Sequence, residues 1–212
     1  MPATPAPDRP GLPLAVAGLR VSAEAGRVLV SLPALDLPAG ASLAIRGPSG
    51  AGKSTLLHAL AGLLEAEGTV RWGETEILAL PPARRAAFRR AHVGLVFQDF
   101  LLFEELDAEA NAALAAGFAP APERAPIRAR ARRALDRLGL GGVAGRPAAS
   151  FSGGERQRIA IARALANDPA VILADEPTAS LDRAAADRLI EDLVALARDE
   201  GRTLVVTSHD PA

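Results

Sequence analysis

The 212-residue sequence has no cysteine, no tyrosine and a single lysine. Without cysteine there is no disulfide, no thiol nucleophile and no thiolate-held metal, and a reducing compartment is consistent but not required. Aromatic residues make up only 3% of the chain. No apolar run reaches the roughly 18 residues that a membrane helix needs, so any membrane role has to come through a partner. An excess of one charge is missing too. The formal net charge is −1, and no global field favours nucleic acid or an anionic membrane. The opening, MPATPAPDRPGLP, lacks the apolar core of a signal peptide and reads as a disordered lead-in over 1–13.

What is present suits one domain with a sizeable core: 49% hydrophobic and 23% charged residues. Of the 24 basic residues all but one are arginine, so Lys53 is an exception that needs a reason. Four apolar runs, SLAIRG (42–47), HVGLVFQ (92–98), VILADE (171–176) and TLVVTSH (203–209), suit strands buried on both faces of a sheet. Helical stretches over 53–64, 83–90, 153–166 and 183–200 lie between them. This alternation predicts a parallel sheet covered by helices, with ligands at the carboxyl ends of the strands. The runs LAVAGLRV, GRVLVSLPAL and ASLAIRG, broken by glycine and proline, read better as antiparallel strands. Residues 104–150 are rich in alanine and arginine and predict a separate helical lobe. Within it RAPIRARARRALDRLG is basic, and reads as a solvated helix face with Leu135, Leu138 and Leu140 turned inward.

The stretch GPSGAGKS fits G-x-x-x-x-G-K-[ST] at Gly47, Gly52, Lys53 and Ser54, after an expected strand and at the start of an expected helix. In such a loop, here Gly47, Pro48, Ser49, Gly50, Ala51, Gly52, Lys53, Ser54 and Thr55, backbone N–H groups and the helix N-terminus form an anion cradle. Lys53 would supply a compact ammonium to the β- and γ-phosphates, and Ser54 a hydroxyl to Mg²⁺. An arginine fork is too wide for a loop built around a point charge. A chain that otherwise uses arginine keeps lysine there.

Asp175 and Glu176 end an apolar strand, where unpaired charge is costly. They can form an acidic cap before a helix. Alternatively Asp175 can hold Mg²⁺ and Glu176 can polarise an attacking water. His209 stands at the next strand end, where a histidine can be structural or can touch a γ-phosphate. In SFSGGERQRIAIARAL, Ser152 and Glu155 have the spacing of a capping box. A cap does not need Gly153 and Gly154, which weaken a helix. They expose backbone N–H groups and make a second anion site. One triphosphate needs two such sites only if it lies between them.

With these motifs in place the sequence resembles the ATP-binding cassette (ABC) ATPases over nearly its whole length. GPSGAGKST is similar to the Walker A motif, LVFQD to the Q-loop with Gln98, and FSGGE to the signature. VILADE is similar to Walker B, ASLD to the D-loop with Asp182, and SHD to the switch histidine. The wording of RRAHVGLVFQDFLLFEEL and ARALANDPAVILADEPTASLD is similar to cassettes of lipoprotein-release, macrolide-export and cell-division systems, and bacterial amino-acid importers share much of it.

The resemblance implies an α/β fold: a RecA-like P-loop NTPase core with an antiparallel β lobe (14–98 and 151–212) and an inserted α-helical lobe (99–150), all one domain over 1–212. It implies ATP and Mg²⁺ as ligands, with Ser54, Gln98 and Asp175 at the metal and Glu176, His209 and Gln98 in catalysis. It implies a head-to-tail dimer, of two copies or with a second cassette. Ser152, Gly153, Gly154 and Glu155 would then meet the nucleotide in trans, with Asp182 nearby. The partners implied are separate transmembrane subunits, not nucleic acid, and the place is the cytoplasmic face of the membrane. A non-transport ABC ATPase and a weakly active ATP-binding regulatory module are the alternatives. Long coiled coils or a second cassette in the chain would mark the non-transport types, and neither is present.

Three features depart from the family pattern. Phe151 and Glu155 stand where Leu and Gln are commonest, no aromatic lies near Ala23 to stack on adenine, and the sequence given stops three residues after His209. The row Phe100–Phe103 holds four consecutive apolar side chains. Successive helical residues are turned about 100° apart, so some of the row is expected at the surface, as an interface.

Overall fold

The computed structural model describes residues 10–23, 26–179 and 181–209. Two four-stranded sheets organise it. The first is antiparallel, in the order β2 (Val28–Leu37), β1 (Leu14–Ser22), β4 (Glu67–Trp72), β5 (Thr75–Glu76). The second is parallel, in the order β3 (Ser42–Arg46), β8 (Thr203–Ser208), β7 (Val171–Ala174), β6 (Val93–Val96). The helices are α1 (Lys53–Leu60), α2 (Pro82–His92), α3 (Ala108–Ala112), α4 (Ala121–Arg137), α5 (Gly153–Leu165) and α6 (Arg183–Asp199).

The parallel sheet separates two apolar clusters, and the two-residue period of a strand assigns each side chain to one of them. On β7 and β8, Val171, Leu173 and Val205 join α1, α2 and the antiparallel sheet. Ile172, Ala174, Leu204 and Val206 join α4, α5 and α6. This is why β7 reads as an unbroken apolar run, and every residue in it is buried. Gly94 lets β6 lie against α5, because a Cβ there would stand 2.7 Å from the Ala164 carbonyl oxygen. Trp72 is fully buried, and its indole N–H donates to the Leu60 carbonyl at 2.8 Å, tying the antiparallel sheet to the end of α1.

Several expectations are corrected. SLAIRG belongs to the parallel sheet, not the antiparallel one. It is an edge strand and is not buried on both faces: Ser42, Ala44 and Arg46 are exposed. β4 and β5 complete the antiparallel sheet from residues in which no strand was expected. Of the expected lead-in, 1–9 lie outside the described residues, while Gly11 and Leu12 are tied down. Gly11 N–H donates to the Gly201 carbonyl at 2.8 Å, and the Leu12 carbonyl accepts from Thr203 Oγ1 at 2.7 Å. Between β6 and α5 the regular elements are all helices, with Leu135, Leu138 and Leu140 buried as expected.

The row after Gln98 is not helical but irregular, with Leu101 at φ 48°. Leu102 packs on the core, while Leu101 and Phe103 are 58% and 51% exposed. Arg163 on α5 holds this segment by its carbonyls, donating to Phe100 and Leu101 at 2.8 and 2.5 Å. Burial pulls the Arg163 guanidinium below its ordinary pKa.

Candidate functional site

The polar ends of β3, β7 and β8 meet at one sheet edge. The loop after β3 turns through Gly50 (φ 78°) and Gly52 (φ 87°), left-handed conformations that glycine adopts without strain. Gly52 is also crowded: a Cβ would lie 2.9 Å from the Leu29 carbonyl oxygen of β2. Thr55 follows Ser54 in the first turn of α1.

Lys53 opens α1 and is 7% exposed. Its ammonium donates to the carbonyls of Gly47 and Pro48 at 3.0 and 3.1 Å and pairs with Glu176 Oε1 at 3.0 Å. All three of its N–H donors have partners, a fit for a point charge that a flat guanidinium would not reproduce.

Ser54 Oγ donates to Asp175 Oδ1 at 3.0 Å across 121 residues of sequence. Asp175 is 4% exposed and receives a second bond on the same oxygen, from Thr207 Oγ1 of β8 at 2.7 Å. Thr207 Oγ1 in turn accepts the Glu176 backbone N–H at 2.9 Å. Glu176 sits at φ 41°, a left-handed conformation that costs a non-glycine residue about 1–3 kcal/mol and persists where the surroundings enforce it. His209 Nδ1 lies 3.7 Å from Glu176 Oε2. Lys53, Ser54, Asp175, Glu176 and His209 thus form one contiguous polar cluster, as the sequence reading grouped them.

Gln98 is not bonded into that cluster. It is exposed beyond the end of β6 and lines a cavity of about 460 Å³ with Phe100, Leu102, Arg156 and Ala179. Asp182 caps α6, accepting the Ala185 N–H at 3.0 Å. Ser152 and Glu155 form the expected capping box of α5. Glu155 Oε2 accepts from the Ser152 N–H at 2.7 Å and from its hydroxyl at 2.8 Å, and these bonds hold the Glu155 carboxyl below its ordinary pKa. A Cβ at Gly154 would stand 2.9 Å from Leu181 Cδ2, the tip of a side chain that can shift aside. Phe151 is buried beneath this turn, with the Arg146 guanidinium 4.7 Å over its ring. No hydrogen bond or ion pair among the described residues joins Ser152–Glu155 to the loop at 47–55.

Sequence reasoning passed over two residues. Thr207 was read only as part of an apolar strand, yet its hydroxyl binds both acidic residues. His58 lies one turn beyond Ser54, and its Nε2 is 3.8 Å from Asp175 Oδ2. The i, i+4 spacing from Ser54 was the available signal.

The donors near Ser54 suit Mg²⁺, which favours hydroxyl and carboxylate oxygens completed by substrate phosphates. Among the described residues no group of three or more His, Asp or Glu side chains could hold a metal alone.

A family model described as ABC transporter matches residues 32–179. The lipoprotein-releasing system ATP-binding protein LolD of Oleidesulfovibrio alaskensis is 44% identical over 178 residues, 83% of this chain and 76% of that protein. The macrolide export ATP-binding/permease protein MacB 1/2 of Paracoccus denitrificans is 43% identical, over 87% of this chain and 27% of that protein. Among solved structures, the dimeric ATP-binding cassette MJ0796 in a post-hydrolysis state with ADP and Pi superposes with a TM-score of 0.81. It is 33% identical, and the match covers 93% of this chain and 88% of that one. The two-sheet architecture, the glycine loop with its lysine and the carboxylates facing it agree with these likenesses: the chain belongs to the ABC transporter family and is its ATPase domain.

Proposed function

We propose that this domain hydrolyses ATP at sites shared between two cassettes, and so drives separate membrane subunits of the lipoprotein-release or macrolide-export kind. The observation that carries the proposal is the convergence of Lys53, Ser54, Asp175, Glu176 and His209 at one sheet edge. The N–H groups of the loop 47–55 cradle the phosphates. Lys53 contacts the β- and γ-phosphates, whose oxygens compete with Glu176 for its ammonium. Glu176, released from that pair, takes the proton of the water that attacks the γ-phosphorus, as the bond from that phosphorus to the bridging oxygen breaks and ADP leaves with the electron pair. His209 contacts the γ-phosphate from the β8 side. Ser54 and Asp175, with Gln98, hold Mg²⁺, which when bound neutralises charge on the phosphate oxygens.

The capping-box turn at Ser152–Glu155 has no bond to the loop of its own chain. This supports a role in trans, where Gly153 and Gly154 offer N–H groups to the partner's nucleotide, beside Asp182. Support for the subgroup comes from the 44% identity to LolD, and the membrane subunits are proposed from the same likeness. Among the described residues no helix is long and apolar enough to cross a membrane, and we place the domain at the cytoplasmic face, held by its partners. The exposed Leu101 and Phe103 are the proposed contact for those partners.

Glu176→Gln tests the reading. It keeps the loop and the signature but removes the base. Size-exclusion chromatography with Mg-ATP should show a dimer for the variant and mostly monomer for the parent chain. A variant that binds ATP yet stays monomeric would refute the shared site.

A further inference from the structure

The Nε2 of His58 is buried without a hydrogen-bond partner. Buried polar atoms in native structures nearly always have partners, so an orphan beside a functional carboxylate calls for a reason. Asp175 Oδ2 lies 3.8 Å from this nitrogen. The two oxygens of Asp175 are unequally served. Oδ1 accepts from both Ser54 and Thr207, at 3.0 and 2.7 Å. No hydrogen bond among the described residues ends on Oδ2, and His58 Nε2 lies 3.8 Å from it. The His58 ring lies at a centroid distance of 6.0 Å and a tilt of 52° from Phe97, immediately before Gln98. His58 therefore stands near the ends of both β6 and β7, on the helix that also presents Ser54.

We propose that His58 is a positioning residue for Asp175, its Nε2–H setting the orientation of Oδ2 toward the bound divalent cation, directly or through one water. The inference rests on the ATPase reading above. With Oδ1 saturated by two hydroxyls, Oδ2 is the oxygen left to face the cation or its water shell. A carboxylate pinned at one oxygen still rotates about its Cβ–Cγ bond, and a donor near the second oxygen limits that rotation. A gap of 3.8 Å is too long for a hydrogen bond but short enough to close by a small ring movement. Groups that support metal ligands in this way raise affinity about 10–100-fold without touching the metal. His58 needs no change of charge for this role.

The test compares His58→Leu, which keeps bulk but has no donor, with His58→Gln, whose amide nitrogen reaches about as far as Nε2. Two quantities are measured on the full chain. One is ATP affinity in excess EDTA. The other is Mn²⁺ affinity of the ATP-loaded protein, read by electron paramagnetic resonance. His58→Leu should weaken Mn²⁺ binding by about tenfold and leave the EDTA affinity and thermal midpoint unchanged. His58→Gln should recover most of the loss. Mn²⁺ affinity within twofold of the parent in His58→Leu overturns the proposal. So does equal weakening in both variants, or a parallel loss of EDTA affinity, which marks general damage to the loop. Should His58→Leu fail to fold, His58→Asn, whose amide stops short of Asp175, carries the same expectation. A parent chain that binds no ATP under either condition would instead sink the ATPase reading itself.

Discussion

Thr207→Val asks how far one buried hydroxyl supports the site. Thr207 is fully buried, and the substitution preserves its shape. It removes the donor to Asp175 Oδ1 at 2.7 Å and the acceptor of the Glu176 N–H at 2.9 Å. A hydrogen bond to a charged group contributes about 1.5–3 kcal/mol, and an orphaned buried N–H costs about 1–3 kcal/mol. The two losses share one atom and do not simply add. A destabilisation of about 3 kcal/mol is expected, which lowers Tm by about 6–12 °C in a chain of this size. The Glu176 backbone, held at φ 41° partly by that N–H, is then free to relax. Turnover should fall by at least about tenfold, the usual scale for losing a supporting partner of a metal ligand. Thr207→Ser keeps the hydroxyl and should restore most of the turnover while recovering less stability, because a methyl is lost. Equilibrium denaturation and ATPase assays on the three proteins decide it. A Val variant within about 0.5 kcal/mol of the parent, the scatter expected of a neutral change, would show that the hydroxyl does not support the site.

Lys53→Arg should abolish turnover although charge is kept, because two carbonyls and Glu176 already fill the space around the ammonium; near-parental turnover refutes the loop reading. With no aromatic near Ala23, and the aliphatic Val28 and Leu29 exposed at the start of the neighbouring strand, ATP and GTP should compete within about tenfold, or about 1.4 kcal/mol, in a displacement assay. Phe103→Asp should keep ATP binding but lose the membrane subunits in a pull-down. The Phe103 side chain is half exposed, and its backbone is held independently by Asn111 at 2.8 and 2.9 Å, so loss of ATP binding would mean that the row is core. The folded-state pKa of Glu155 is depressed, chiefly by the Ser152 bonds. Its contribution is therefore complete above the ordinary value of 4.5 and is lost as pH falls through the lower folded value. The stability advantage of the parent over Glu155→Ala should shrink on acidification below 4.5, as followed by denaturation midpoints. An advantage independent of pH counts against the capping box as its source.

The sequence alone determined the local pieces. A glycine loop with one lysine, a serine–glutamate spacing before a helix and a carboxylate pair at the end of an apolar run each carry their chemistry within a few residues. Backbone freedom, helix caps and strand periodicity act over that range. Hence Lys53, Ser54, Asp175, Glu176 and the Ser152 cap were legible before any coordinates. Partnership between distant segments was not. SLAIRG reads equally well as an antiparallel or a parallel strand, and only pairing with β8, more than 150 residues away in sequence, makes it a parallel edge. The Phe100–Phe103 row carries a helical composition, but Arg163 on α5 captures its carbonyls, and Leu101 takes a left-handed turn that no local preference predicts. Thr207 and His58 are ordinary residues of a strand and a helix until β8 and α1 are laid beside β7. Thr207 bonds one oxygen of Asp175 and His58 stands 3.8 Å from the other, a placement that exists only once the sheet is assembled.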